Sequence, residues 1–204
     1  MHLLDQEILG IAILCLLGML VIVKQTATGS VLDRPRGDLL VQAVNVFNLF
    51  FLLVVNPLAA ILLITRRLAT IDPTHMTVHE PWILIVLESA GLVMYVSGYL
   101  LMAWALIALG RNYQLGGTAP RSEDEIVVDG PYRLVRHPMY TAALSISIGL
   151  ACLIQSWALC CVSCIYLVLV VLLIPMEEDG LRRAYGDRYV AYAQETRKLI
   201  PLVY

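Results

Sequence analysis

From Tyr140 to Ile174 the chain runs thirty-five residues without one charged side chain, and this run limits the possible folds more than any other feature. A single membrane-spanning helix needs about 20 residues and two complete spans about 40. The run is too long for one helix and slightly short for two. Gln155 and Ser156 fall near its middle and are followed by Trp157, a ring that favours the membrane interface. The segment therefore reads as a tight helical hairpin over 140–174, with both ends on the same side of a bilayer.

The rest of the chain fits that solvent. Of its 204 residues, 59% are hydrophobic and 15% charged, and the mean hydropathy is +0.78. Roughly half of a soluble surface must meet water, so so much apolar surface calls for lipid. Ile8–Val23 is an uncharged run just long enough for a short span. It follows Asp5 and Glu7 rather than a basic segment, and so reads as a retained span instead of a signal peptide. Leu39–Ile64 is a second span. Asn45 and Asn48 share a helical face there and Pro57 should kink the helix. Ile83–Leu109 is a third, carrying Glu88 near one end and, at Gly91 and Gly98, room for close helix approach. Five spans with the N-terminus outside would place twelve of the fourteen Lys and Arg residues in the cytoplasm, leaving out only Arg66 and Arg67. The expected fold class is an all-α integral membrane protein with about five transmembrane helices. Residues 1–109 would form the N-terminal spans, and residues 110–204 a catalytic region that joins the hairpin to a cytosolic loop and a short C-terminal tail. Pro175 should open a separate helix in that tail, with Gly186 ending it and Asp187 capping the next.

The remaining polar groups sort by what they could bind. The net charge of -2 and the lack of a basic stretch argue against nucleic acid. The five cysteines all lie in apolar runs and behave as small hydrophobes. His75 and His79 have helical ligand spacing, but Pro73 and Pro81 flank them and no third ligand is near, so a plain loop and no metal site is expected. Leu181, Tyr185 and Tyr189 recur at helical spacing and would lie against the membrane or the loop. The two mouths of the hairpin carry the unusual chemistry. On one side are Tyr132, Arg136, His137, Pro138, Met139 and Tyr140; on the other are Glu177 and Glu178. Taken separately, these groups are interfacial anchors and helix-end charges. Brought together by a hairpin, they form a pocket for a zwitterion that also presents a flat ring or a cation. S-adenosylmethionine has all three features, and aromatic faces favour its sulfonium.

The string Gly130-Pro131-Tyr132, Arg136-His137-Pro138, Tyr140, a hairpin-length apolar run, Glu177-Glu178, Tyr185-Gly186-Asp187, Tyr189, Tyr192 and Leu199-Ile200-Pro201 resembles the isoprenylcysteine carboxyl methyltransferase family and its prokaryotic relatives. The resemblance covers roughly Leu109 to Val203. It implies a membrane methyltransferase that uses S-adenosyl-L-methionine in a cytosol-facing pocket and takes a lipophilic acceptor from within the bilayer. The family's cofactor contacts map to Glu125, Ile126, Val127, Tyr132, His137, Pro138, Met139, Tyr140, Glu177 and Glu178. Two positions depart from the pattern: Asp124 stands where eukaryotic members often have His, and Leu173 stands where an Arg handles the acceptor carboxylate. Nothing nearby in the sequence replaces that cation. The expectation is therefore poor methylation of prenylcysteine and preference for another lipophilic acceptor, with Leu173→Arg leaving cofactor binding intact. Arg136 is the candidate for orienting an anionic acceptor, and Glu178 for receiving a proton from an amine acceptor. The rival readings are an NADPH-dependent membrane sterol or steroid reductase, which would call for more cations than Glu177-Glu178-Asp179 supplies, and a non-catalytic scaffold or transporter subunit.

Overall fold

A computed structural model describes residues 5–32, 38–113 and 125–200 of the chain. Arg34 and Arg36, the loop around Arg121, Asp124 and the terminal Pro201 lie outside the described residues.

Asp5 starts the first helix, α1 (Gln6–Thr28), by accepting the Glu7 N–H at 2.9 Å, and Gly29 ends it at φ 80°. The second span is not one continuous helix. α2 (Leu39–Phe50) passes into a π-helical turn at Phe51–Val55 and then into α3 (Asn56–Ile64). The kink expected at Pro57 takes this form, because proline cannot donate into the α ladder and its ring crowds the preceding turn. Asn56 repairs the break. Its Nδ2 donates to the Phe51 carbonyl at 2.9 Å, and its Oδ1 accepts from Tyr95 and Tyr99 at 2.5 and 3.2 Å.

After a short α4 (Leu68–Ile71), α5 (Pro81–Leu109) is long and apolar enough to cross a membrane. It packs on α6 (Pro138–Leu153) through small residues. A Cβ added at Gly149 would lie 2.6 Å from the Tyr95 nitrogen, and one at Gly91 would lie 2.9 Å from the Gly149 carbonyl oxygen. Only glycine permits two backbones to come this close.

α7 spans Trp157–Tyr185 and α8 spans Asp187–Glu195. The hairpin turn falls at Gln155 (φ 54°) and Ser156, as expected. The turn is fastened from outside. Gln155 Nε2 donates to Glu88 Oε1 at 3.0 Å, Met76 N donates to the Gln155 carbonyl at 2.6 Å, and Trp157 N to the Thr74 carbonyl at 3.1 Å. Glu88 is thus a buried partner of the turn rather than a side chain reaching for the interface.

The expected all-α membrane fold holds with one helix shorter than a full span, and one expectation about the tail is corrected. Four helices are long and apolar enough to cross a membrane: Gln6–Thr28, Leu39–Ile64, Pro81–Asn112 and Trp157–Tyr185. The fifth, α6, has 16 residues, about 24 Å at 1.5 Å per residue, short of a hydrocarbon core of about 30 Å. Pro175 also opens no new helix, because α7 continues through it to Tyr185. The pairing of Glu177 with Tyr140 of α6, and of Glu178 with Arg136 just before it, holds the helix past a residue that would break it in isolation.

Buried side chains from α1, α3, α5 and α6 form one core, including Ile13, Ala60, Leu63, Tyr99 and Leu150. Val41, Val44, Tyr166, Val170, Leu173 and Ile174 form a second between α2 and α7, with Phe47 stacked on Tyr166 at 4.6 Å. Large apolar residues such as Val93, Ile107, Val168 and Leu172 point outward, where lipid is their solvent.

A cavity between the hairpin mouth and the first two spans

The segment before α6 is built to present side chains inward. Gly130 adopts φ 61°, where a Cβ would press on the Trp104 indole nitrogen at 3.1 Å, so the chain lies directly on α5. A turn of 3-10 helix at Gly130–Arg133 then buries Tyr132. The C-terminal segment runs alongside. Arg136 N donates to the Arg197 carbonyl at 2.7 Å, His137 N to the Lys198 carbonyl at 3.0 Å, and Thr141 Oγ1 to the Leu199 carbonyl at 2.7 Å. Tyr192 of α8 donates to the Tyr132 carbonyl at 2.7 Å.

The charged groups converge as the hairpin predicts. Arg136 Nε donates to Glu178 Oε1 at 2.8 Å, and its Nη1 donates to the carbonyls of Ala193 and Thr196 at 2.9 and 2.5 Å. The Tyr140 hydroxyl donates to Glu177 Oε2 at 2.8 Å. The His137 ring stacks near Tyr140, with centroids 5.7 Å apart. Its Nδ1 is 3.9 Å from Glu177 Oε2, and its Nε2 is 3.5 Å from Glu178 Oε1. Although that second contact is within ion-pair range, it lacks hydrogen-bond geometry, and Nε2 is a buried nitrogen without a hydrogen-bond partner. The Tyr189 hydroxyl is buried and unpartnered in the same way. Polar atoms left like this cost free energy unless a ligand or water meets them. Burial, then the charge of Glu177, pushes the Tyr132 phenol well above its ordinary value. Burial also pushes Tyr192 up to about 12, with Arg136 pulling the other way. Both rings are therefore neutral at physiological pH.

Most of these groups line a cavity of about 290 Å³, close to the range of small-ligand sites. Glu125, Ile126 and Val127 line it together with Tyr132, and so do Arg136, His137, Pro138, Met139, Tyr140 and Glu177. Of the sequence-derived candidates, Glu178 alone is off the wall, held behind it by Arg136. The stripe of Leu181, Tyr185 and Tyr189 faces this cavity rather than lipid, joined by Tyr192. Asn45 and Asn48 are also on the wall; Asn45 Nδ2 donates to the Val41 carbonyl at 2.9 Å.

Apolar side chains supply much of the remaining wall: Leu20 and Val21 of α1, Leu49 of α2, Leu53 of the π turn, and Met102 and Leu106 of α5. Lys24, one helical turn beyond Val21, stands on the wall with Tyr113. Nothing in the sequence linked α1 to the hairpin, since no motif joins them and they lie far apart along the chain. Leu173, by contrast, is wholly buried in the second core and does not line the cavity. Among the described residues, no group of three or more His, Cys, Asp or Glu is placed to hold a metal ion.

Comparison with known proteins adds three results. The profile of the phospholipid methyltransferase family matches residues 87–188. Protein-S-isoprenylcysteine O-methyltransferase B of Arabidopsis thaliana is 32% identical over 123 residues, which cover 57% of this chain and 60% of the relative. Protein-S-isoprenylcysteine O-methyltransferase A of the same plant is 32% identical over 119 residues, covering 55% and 58%. The chain's match thus spans less than two thirds of these relatives. Among solved structures, the eukaryotic intramembrane Ras methyltransferase ICMT (isoprenylcysteine carboxyl methyltransferase) superposes with a TM-score of 0.52 at 19% identity, covering 80% of this chain and 74% of that one. That likeness is one of fold.

Proposed function

Because the chain belongs to the phospholipid methyltransferase family, we propose that it is an integral membrane methyltransferase that uses S-adenosylmethionine and acts on a lipophilic acceptor drawn from the bilayer. The observation that carries this reading is the mixed wall of the cavity. It gathers His137, Tyr140 and Glu177 beside aromatic faces, and much of the rest is apolar side chains of the spanning helices. The donor set suits the cofactor. Glu177 faces an ammonium, the buried His137 Nε2 and Tyr189 hydroxyl await polar partners, and the Tyr132 and Tyr140 rings favour a sulfonium. Glu125, Ile126, Val127, Pro138 and Met139 would complete that part of the wall.

When bound, the cofactor supplies an electrophilic methyl group. The chain's part is to align donor and acceptor in a site shielded from water. The tail closes over the site, its carbonyls hydrogen-bonded to Arg136, His137 and Thr141. Arg136 acts as a positioning residue, tying the start of α6 to α7 and the tail; with its charge already matched by Glu178, it is poorly placed to serve an acceptor. Glu178 is 3% exposed, ion-paired and off the cavity wall, so it is not the proton acceptor for an amine. The division at Gly110 separates spans that supply apolar wall residues from the region that supplies most of the polar ones. No observation favours the reductase or the scaffold over this reading.

Calorimetry with S-adenosylhomocysteine on detergent-purified wild type, His137→Ala and Glu177→Ala tests the assignment. Each variant should lose about tenfold or more in affinity, the scale of one charge-assisted contact. Unchanged affinity in both would refute it.

The same reading orients the protein with its N-terminus outside and the cavity and C-terminus in the cytoplasm, on the twelve-to-two distribution of Lys and Arg. With single cysteines at positions 74 and 122 in a variant lacking the native ones, impermeant maleimide applied to intact cells should label Thr74→Cys and spare Ser122→Cys. Labelling of both from one side would overturn the topology.

A further inference from the structure

The second span carries three asparagines, and two of them are settled within the fold. Asn45 is buried and gives its amide to the Val41 carbonyl; Asn56 is buried and gives its amide to the Phe51 carbonyl. Asn48 differs. It is half-buried on the cavity wall, on the side of α2 opposite the outward-facing Val46 and Phe50. Its polar neighbour is the Tyr166 phenol of α7, which also lines the cavity. That ring is wholly buried and stacked on Phe47, and its hydroxyl is without a hydrogen-bond partner. A buried phenol left so costs free energy. An amide and a phenol that served only to join two helices would meet in hydrogen-bond geometry. These do not, and Asn48 stays half-exposed to the cavity.

Tyr166 precedes Glu177 by eleven residues on one continuous helix, about three turns or ~16 Å. The pair thus sits deep in the span, well removed from the groups assigned to the cofactor's amino acid end. At that depth it offers a ligand only dipoles, and shedding water costs a charge far more than a neutral oxygen.

We propose that Asn48, oriented by Tyr166, is a recognition point for the methyl acceptor, selecting lipophiles that carry an uncharged hydrogen-bond-accepting oxygen, such as a carbonyl, on their apolar body. The proposal rests on the methyltransferase reading above and deepens it. The Asn48 amide donates to the ligand oxygen, and its Oδ1, turned away from the ligand, accepts the Tyr166 proton. One contact then satisfies amide and phenol together, whereas a ligand lacking the oxygen leaves both unpaired.

The test uses two probes with one isoprenoid chain, the ketone farnesylacetone and the hydrocarbon in which a methylene replaces its carbonyl. Labelled probe is partitioned between nanodiscs that hold the protein and empty ones. Wild type, Asn48→Leu and Tyr166→Phe are compared, and S-adenosylhomocysteine affinity is measured on each. Wild type should hold the ketone about tenfold more tightly than the hydrocarbon, the effect of one buried hydrogen bond made or missed. Asn48→Leu should hold both alike, through loss of ketone binding alone, and Tyr166→Phe should retain part of the preference. S-adenosylhomocysteine affinity should be unchanged throughout. A wild type indifferent to the carbonyl would overturn the proposal, as would a full preference that survives in either variant. Loss of both probes together, or of S-adenosylhomocysteine affinity, in Asn48→Leu would overturn it too, by giving the residue to helix packing or to the cofactor. Failure of wild type to bind S-adenosylhomocysteine at all would instead strike the underlying methyltransferase reading.

Discussion

Arg136→Met should lower the stability of the folded protein by about 3–5 kcal/mol, the cost of stranding one member of a buried ion pair. Glu178 is 3% exposed and lies 2.8 Å from the guanidinium. Removing that charge leaves a carboxylate whose remaining neighbours are the Arg182 guanidinium at 3.7 Å and the His137 ring at 3.5 Å. The carbonyls of Ala193 and Thr196 lose their donor as well, so the tail should loosen from the start of α6. Unfolding followed by denaturant titration in mixed micelles measures the loss. Arg136→Met combined with Glu178→Gln should recover part of it, because the second change removes the stranded charge. A single variant within about 1 kcal/mol of wild type, the range of an exposed ion pair, would show that the pair is solvent-screened.

Leu173→Arg should be comparably damaging. The side chain is fully buried between Val41, Val44, Tyr166 and Val170. An arginine there forces a charge and a larger side chain into an apolar core within the membrane, at about 3–5 kcal/mol unless it reaches Glu177 one helical turn along, whereas Leu173→Met should cost less than about 1.5 kcal/mol. Monodisperse yield and thermal midpoint in detergent report the difference. This reverses the expectation, built on resemblance alone, that the arginine would be accommodated with cofactor binding intact. If Leu173→Arg were as stable as wild type, the position would have to open toward the cavity.

These two residues show where a sequence can be read and where it cannot. Charge-free runs give the spans because lipid admits little else, and Gln155-Ser156 marks the hairpin turn because that run has no other polar interruption of its kind. Pro57 marks a defect in α2, although proline alone does not specify the π turn; the Asn56 amide and two tyrosines from a distant helix do. Pro175 misleads for the complementary reason. It is a local breaker, overruled by contacts that Glu177 and Glu178 make across the fold. Tyr185 and Tyr189 form a stripe visible as periodicity, but periodicity says that a face is distinct, not what it faces.

The fastening of the hairpin turn divides the molecule into a fixed end and a yielding one. Glu88, Thr74 and Met76 clamp the bend, and glycine-mediated contact of α5 with α6 leaves no slack along the arm. At the other end of α6, closure depends on a few main-chain bonds from the 197–199 segment and on one buried ion pair. The hairpin thus stands as a post set in its footing, with far fewer ties at its mouth than at its bend.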